Sequence, residues 1–408
     1  MKNNRKSRAP STTERSALLV ERRNLKMARS AQAYVRGNTM KFYEWLEDGE
    51  HGLPQGPPVW ICGDCHVGNL GPVANTKGHI EIQIRDLDQS VIGNPAHDLI
   101  RLALSLATAA RGSDLPGVST AKMMESLIEG YVESLVGFDE IEATDTPEPM
   151  QRLMKDALKR QWKHLARERI DNPKPTIPFG KRFWKLSREE DRAIRKLFAT
   201  ESVHQLLTAV RHRDDDSPVE LLDAAYWVKG CSSLGRLRYA VLARVGKDDV
   251  PENYCLIDIK EAIAAAAPRY PRVRMPRGNA ERVVAGARQL APHLGERMLA
   301  TQLLGRSVFL RELFPQDLKL ELDRVDHADA QQVARFLASV VGRAHARQLS
   351  ADDRQAWQRE LMGRRSRKLD APSWLWSSVV ELVASHEAGY LEHCRRYALS
   401  DAAAEKCD

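Results

Sequence analysis

The sequence predicts an α+β fold with a mainly helical large lobe and a small antiparallel-sheet lobe. Three observations carry this prediction. Helical periodicity dominates residues 24–217 and returns over 323–408, whereas strand-like segments are confined largely to 218–322. At 408 residues the chain is too long for one compact core. With 43% hydrophobic and 29% charged residues it can bury a core along most of its length.

Residues 1–23 are rich in Lys, Arg, Ser and Thr and hold no apolar h-region, so they read as a basic flexible tail and not as a secretory signal. Met27, Ala31 and Tyr34, then Met40, Phe42, Trp45 and Leu46, keep helical spacing on either side of the turn Arg36-Gly37-Asn38, predicting two helices. Val59–Ile61 reads as a short buried strand, and Ile80–Ile84 as a second with period-two alternation. Gly93-Asn94-Pro95 marks a turn before a buried helix over 96–110. Its apolar run, Leu99–Ala110 with Arg101 inside it, falls short of the ~20 residues of a membrane span. Residues 112–117 read as a linker, followed by a helix whose apolar face is Met124, Leu127, Ile128, Tyr131 and Leu135. Helices are expected over 149–170 and 187–212, separated by a Pro-rich break. Strands follow at 226–228, 238–245 and 254–259, a helix at 281–290, and strands at 298–303 and 307–313. Helices that include 331–346 and 373–399 close the chain.

Asp64, Asn69, Asp86 and Asp88 are hard-oxygen groups on loops at strand ends. Two carboxylates ~4 Å apart repel by about 4 kcal/mol at an effective dielectric near 20, so such a cluster wants a cation. Mg²⁺ takes one or two carboxylates plus phosphate oxygens, and an Asn amide oxygen suits the same shell. The bland alternative is that these residues only cap turns and helices. Cys62-Gly63-Asp64-Cys65-His66 also fits the haem-attachment spacing, but Cys62 ends a buried strand and no export signal precedes it. A structural zinc lacks a second Cys/His pair of suitable spacing. A binuclear metallophosphoesterase would need further His-bearing ligand loops.

Gly230 and Gly235 have the spacing of a phosphate-binding P-loop, yet Arg236 and Leu237 stand where Lys and Ser/Thr should be and a strand follows. A turn of Gly230, Ser232, Ser233 and Gly235 between two strands is instead shaped like a lid whose backbone covers phosphates. Lys260 closes the third strand, where it could reach nucleotide phosphates. Glu281, opening the next helix, is its expected partner, with Glu261 as a rival.

Gly63-Asp64-x-His66-x-Gly68-Asn69, Ile84-x-Asp86-x-Asp88 and Gly93-Asn94-Pro95-x-x-Asp98-Leu99 together resemble the catalytic and metal-binding stretch of aminoglycoside and choline kinases. The resemblance implies a protein-kinase-like two-lobe fold using ATP and Mg²⁺, with Asp64 as catalytic base and Asn69 and Asp86 as metal ligands. More closely, the chain resembles the bacterial domain-of-unknown-function family 2252. Tyr34-x-Arg36-Gly37, Ile259-Lys260-Glu261-Ala262, Arg282-Val283-Val284, Arg311 with Lys319, and Ala344-His345-Ala346-Arg347 carry that likeness over residues 25–400. The catalytic loop precedes the Gly loop and Lys260, which implies a circular permutation. Cys62 stands where such kinases carry His, and Arg85-Asp86-Leu87-Asp88 replaces Asp-Phe-Gly.

These readings predict a kinase-like phosphotransferase acting on a hydroxyl of a small molecule or protein. The alternatives are a nucleotide-binding pseudokinase, an AMP-transferring enzyme, a metallophosphoesterase and a nucleic-acid binder. The last draws on Arg152, Lys155, Lys159, Arg160 and Lys163 beside Trp162 and Trp184, a pattern more typical of a solvated helix face. A net charge of +7 and a pI near 9.0 favour anionic partners. Six scattered cysteines without a signal sequence point to reduced thiols and a cytoplasmic setting.

Overall fold

A computed structural model describes residues 10–49, 51–112, 117–136, 146–159, 176–210, 213–231, 233–248, 250, 253–317, 327–363 and 372–404. Among them, thirteen helices and ten strands form a mixed α+β architecture with antiparallel sheets. No helix among the described residues is long and apolar enough to cross a membrane.

Helix α4 (Ala96–Gly112) forms the axis of the helical part. Its apolar run is buried on every side, which is why it reads as uniformly hydrophobic. Around it pack α2 (Ala31–Gly37), α5 (Gly117–Val136), α11 (His327–Ala346) and α13 (Ser373–Ala404). Helices α5 and α11 approach closely at Gly130, where a Cβ would lie 2.2 Å from the Arg335 carbonyl oxygen. A side chain larger than hydrogen would force the two helices apart. Two antiparallel ribbons border this part. One pairs β1 (Val59–Ile61) with β4 (Val91–Gly93), and the other pairs β2 (Leu70–Ala74) with β3 (Ile80–Ile84). Loop 62–69 links β1 to β2, and the acidic turn 85–90 links β3 to β4.

The second part is a six-stranded antiparallel sheet ordered β5-β6-β7-β8-β10-β9. Its strands are β5 (Phe183–Trp184), β6 (Val219–Trp227), β7 (Arg238–Val245), β8 (Tyr254–Glu261), β9 (Met298–Leu303) and β10 (Arg306–Leu313), with α9 (Asn279–Leu290) between β8 and β9. Period-two alternation sorts its side chains. Tyr239, Val241, Ile257 and Ile259 share one apolar cluster with Ile194 of α7 (Arg188–Phe198) and Val203 of α8 (Glu201–Thr208), while Ala240, Leu242 and Leu256 belong to another.

Several expectations change. Residues 12–23 are not a flexible tail but part of α1 (Thr12–Met27), started by a capping box between Ser11 and Glu14. Leu19 joins the sheet's core, and Arg15 pairs at 2.7 Å with buried Glu190. The charges along α1 disguise a narrow buried stripe. The sheet part also reaches back before residue 218, because β5, α7 and α8 pack with it. The helix expected over 187–212 is broken at Thr200, whose backbone is extended. Strand β6 begins seven residues earlier than expected, because an irregularity between Leu221 and Asp223 disrupts the alternation. Gly93 ends a strand instead of opening a turn.

Candidate functional site

Loop 62–69 is fixed by a buried acid. Asp98, at the start of α4, accepts hydrogen bonds from the backbone N–H groups of Cys62 (2.6 Å) and Gly63 (2.9 Å). His345 Nε2 lies 3.3 Å from Asp98 Oδ2, and His345 Nδ1 lies 2.9 Å from the Tyr131 hydroxyl. Trp357 Nε1 can only donate, so the Tyr131 oxygen accepts from it at 3.0 Å. With a neutral imidazole the Tyr131 proton then goes to Nδ1, leaving Nε2 to donate to Asp98. Gly63 turns the chain at φ +71°, and a Cβ there would lie 2.3 Å from the Gln89 carbonyl oxygen, so only glycine fits.

That turn presents Asp64, whose Oδ1 accepts from Arg101 Nε at 2.9 Å. Arg101 is the single charge inside the apolar run of α4 and is fully buried. Asn69 donates its amide nitrogen to the Asp64 carbonyl at 2.9 Å, which commits the nitrogen and leaves the amide oxygen for another group. His66, between them, is buried with no hydrogen-bond partner for Nδ1. Burial lowers its pKa to about 4, so the ring is neutral near pH 7.

The acidic turn meets the sheet at Lys260. Its Nζ is 3.2 Å from Asp86 Oδ1 and also contacts Asp88 Oδ2. Burial favours the protonated form of Asp86, but Lys260 and then Arg311 outweigh it and hold the carboxyl well below the usual range. Burial and the neighbouring Asp86 charge push Asp88 upward. On β7, β8 and β10, strand register puts Arg238 opposite Lys260 and Arg311 opposite Asp258, all on one face. Arg238 grips fully buried Asp258 with two bonds of 2.8 and 2.5 Å, and Arg311 adds a third at 3.3 Å.

A cavity of about 1250 Å³ opens where these elements meet. Asn69 and Asp86 line it from one side, and Gly230 and Ser233, from the turn joining β6 and β7, from another. Lys26 of α1 donates to the Gly230 carbonyl at 2.8 Å, tying that turn to the N-terminal helix.

Residues 15–396 match a family described as an uncharacterized protein conserved in bacteria, DUF2252. The chain belongs to the DUF2252 family. No curated protein and no solved structure matches it.

In this DUF2252 protein the fold brings together Asn69, Asp86, Asp88, Lys260, Gly230 and Ser233, drawn from opposite halves of the sequence. Asp64, Asp88 and Lys260 do not line the cavity wall. Gly235 turns the same loop at φ +98° but is also absent from the wall, and Ser232 lies outside the described residues. The expected Lys260–Glu281 pair does not form. Glu281 is exposed, and Lys260 is already engaged by Asp86 and Asp88. Glu261 instead accepts from the Leu237 N–H and Arg306. From α9 it is the next residue, Arg282, that reaches the acidic turn, binding the Asp88 and Ser90 carbonyls. The Arg238–Asp258–Arg311 cluster was not anticipated. Its signal was Asp258, a lone charge between Ile257 and Ile259 at two-residue spacing from Lys260. Of the residues considered for nucleic acid, Trp184 is core, Arg152 pairs with Glu148, and Arg160, Trp162 and Lys163 lie outside the described residues.

The donor set fits Mg²⁺ better than a dedicated metal cage. Among the described residues no group of three or more His, Cys, Asp or Glu is placed to hold an ion. Asp88 Oδ1, however, is a buried carboxylate oxygen without a hydrogen-bond partner, and Asp86 shares the cavity wall with Asn69, whose amide nitrogen alone is committed. One or two carboxylates, completed by substrate phosphates and water, is the usual Mg²⁺ arrangement.

Proposed function

We propose that this protein is a Mg-ATP-dependent phosphotransferase of protein-kinase-like, circularly permuted build, transferring the γ-phosphoryl group to a hydroxyl. One observation carries the reading. Lys260, near the end of β8 and two strands beyond the Gly-Ser turn that joins β6 to β7, contacts Asp86 and Asp88 although 174 residues separate it from Asp86. A glycine turn, a strand lysine, a following helix and an Asp beside the lysine are the parts that phosphoryl transfer uses for positioning and charge neutralisation. The sheet order, with a helix between the lysine strand and the last two strands, supports the same reading.

In this scheme Lys260 and the turn of Gly230 and Ser233 hold the nucleotide phosphates, and Asp86, Asp88 and Asn69 would hold Mg²⁺. When bound, the ion neutralises charge building on the phosphate oxygens. Asp64 orients the acceptor hydroxyl and takes its proton as the new O–P bond forms and the bond to the β-phosphate oxygen breaks, releasing ADP. Arg101 keeps the Asp64 carboxylate in place.

One observation favours nucleotide binding without chemistry. Asp64 is held by Arg101 and stays behind the cavity wall. Calorimetry with Mg-ATP and a phosphoryl-transfer assay separate the two readings. Wild type is expected to bind, Lys260→Ala and Asp86→Asn to weaken binding, and Asp64→Asn to bind but not turn over. Absence of Mg-ATP binding by wild type would remove the phosphotransferase reading.

A further inference from the structure

Charge is distributed unevenly around the cavity. Where the acidic turn meets the sheet the charges are balanced, because Lys260, Arg238 and Arg311 face Asp86, Asp88 and Asp258. The rest is not. Of the lining residues, ten are Lys or Arg and only Asp86 is acidic. Six of the ten, Arg22, Lys26, Arg29, Arg36, Lys181 and Arg182, have no carboxylate partner among the described residues. Arg22 and Lys26 donate to backbone carbonyls, of Lys181 and Gly230, and Arg22 also lies over the Trp184 ring. Four of them come from α1, α2 and the short link between these helices, and two from the segment entering β5.

Magnitudes show that a nucleotide alone does not account for this wall. ATP with one Mg²⁺ carries a net charge of about −2, whereas six unneutralised cations surround the remaining space. The cavity volume of about 1250 Å³ also exceeds the roughly 300–1000 Å³ of a single small-ligand site. Space and charge are left over for a second anion. His66 also lines the wall, and its buried Nδ1 has no hydrogen-bond partner.

We infer that the hydroxyl acceptor is itself a phosphate-bearing small molecule, a phosphorylated sugar or polyol, held by the cationic wall of α1, α2 and the β5 segment. This rests on the phosphotransferase reading and adds its substrate class. Arginine binds phosphate in bidentate fashion, and the exposed lysine and arginine heads steer anions into the cleft. Cationic acceptors such as aminoglycosides or choline are repelled by the same wall. The reaction stays balanced: the acceptor hydroxyl oxygen bonds to the γ-phosphorus, its proton passes to Asp64, and ADP leaves with the electron pair of the broken bond. Concave enclosure favours a small phosphorylated molecule over a nucleic-acid strand or a lipid surface.

The test titrates the full chain, at low and at high salt, with a hexose bisphosphate, the neutral hexose, the amino hexose, an RNA oligomer and anionic phospholipid vesicles. Mg-ATP is titrated in parallel. The bisphosphate is expected to bind more tightly than either uncharged or cationic sugar, and to weaken steeply with salt. Arg29→Glu and Lys181→Glu change exposed residues and are expected to leave the fold intact, which circular dichroism checks. Each is expected to weaken the bisphosphate about tenfold or more, a greater loss than for Mg-ATP; Lys260→Ala shows the opposite preference, and Arg29→Lys retains bisphosphate binding. Mg-ATP binding without preference for anionic sugars, or binding of RNA or vesicles but not the bisphosphate, overturns the inference and leaves the phosphotransferase reading in place. Bisphosphate binding without Mg-ATP binding removes that reading and the acceptor role with it.

Discussion

His345 and Asp98, 247 positions apart, meet at 3.3 Å with both side chains fully buried. Asp98 in turn holds the backbone of Cys62 and Gly63, so helix α11 governs the loop that carries Asp64 through a single carboxylate. Asp98→Ala leaves two buried N–H groups and the His345 ring without an acceptor. We expect a loss of about 3–5 kcal/mol, the range for breaking a buried charged network. Amide exchange at Cys62 and Gly63 should speed up more than in the sheet. Unchanged protection at those two amides would refute the assignment.

Removing the ammonium of Lys260 strands two carboxylates. Lys260→Met is expected to destabilise the protein by about 2–4 kcal/mol in urea unfolding, because Lys260 and Asp88 are nearly inaccessible to water. Adding Asp88→Asn to that variant should restore part of the loss, since the uncompensated charge is gone. A double mutant no more stable than Lys260→Met would show that the pair is not coupled.

Asp64→Asn keeps an oxygen for Arg101 Nε and removes the carboxylate proposed as the base. The expected cost to stability is about 1–2 kcal/mol, with phosphoryl transfer reduced at least about a hundredfold and Mg-ATP affinity retained. Arg101→Met should be more damaging to the fold, because it leaves the buried Asp64 charge unpaired. Turnover by Asp64→Asn at the wild-type rate would exclude Asp64 as the base.

Three buried histidines make the fold acid-sensitive. Desolvation lowers the pKa of His66, His97 and His386 to about 4 from the ordinary 6.5. Below pH 6.5 the unfolded chain binds protons that the folded chain refuses until about 4. The unfolded state therefore holds more protons, and stability falls as pH drops through that window. Each histidine contributes about 1.4 kcal/mol per pH unit, or roughly 4 for the three together. Urea midpoints measured between pH 7 and 4 should show this slope, and His97→Gln should reduce it by about one proton. A slope below one proton in the wild type would contradict the three assignments.

Elements with a strong single period were legible in the sequence. The boundaries of β1, β3, β7 and β9 and the start of α4 were read directly, because alternation or an unbroken apolar run fixes them. That Asn69 and Asp86 stand close to one cavity was expected from their places in loops at strand ends. What escaped depends on tertiary partners. Leu19 and Arg15 make α1 part of the sheet's core, yet both sit in a stretch whose composition reads as solvated. Glu281 was the natural partner for Lys260 by analogy of order, but the acidic turn reaches the lysine first and Arg282 takes the place facing it. The carboxylate grip of Asp258 on Arg238 and Arg311 needs the register of three strands, which no local window contains.

The separation of Asp86 from Lys260 also bears on how the chain is made. A ribosome delivers the acids 174 residues before the lysine that neutralises them, and at roughly 5–20 residues per second that interval is on the order of ten to thirty seconds. During it the nascent helical half carries Asp86 and Asp88 without their cation, and Asp98 without His345. The loop that bears Asp64 therefore reaches its final form only when the last quarter of the chain emerges, so a stalled or truncated translation product holds both acidic loops and no assembled site.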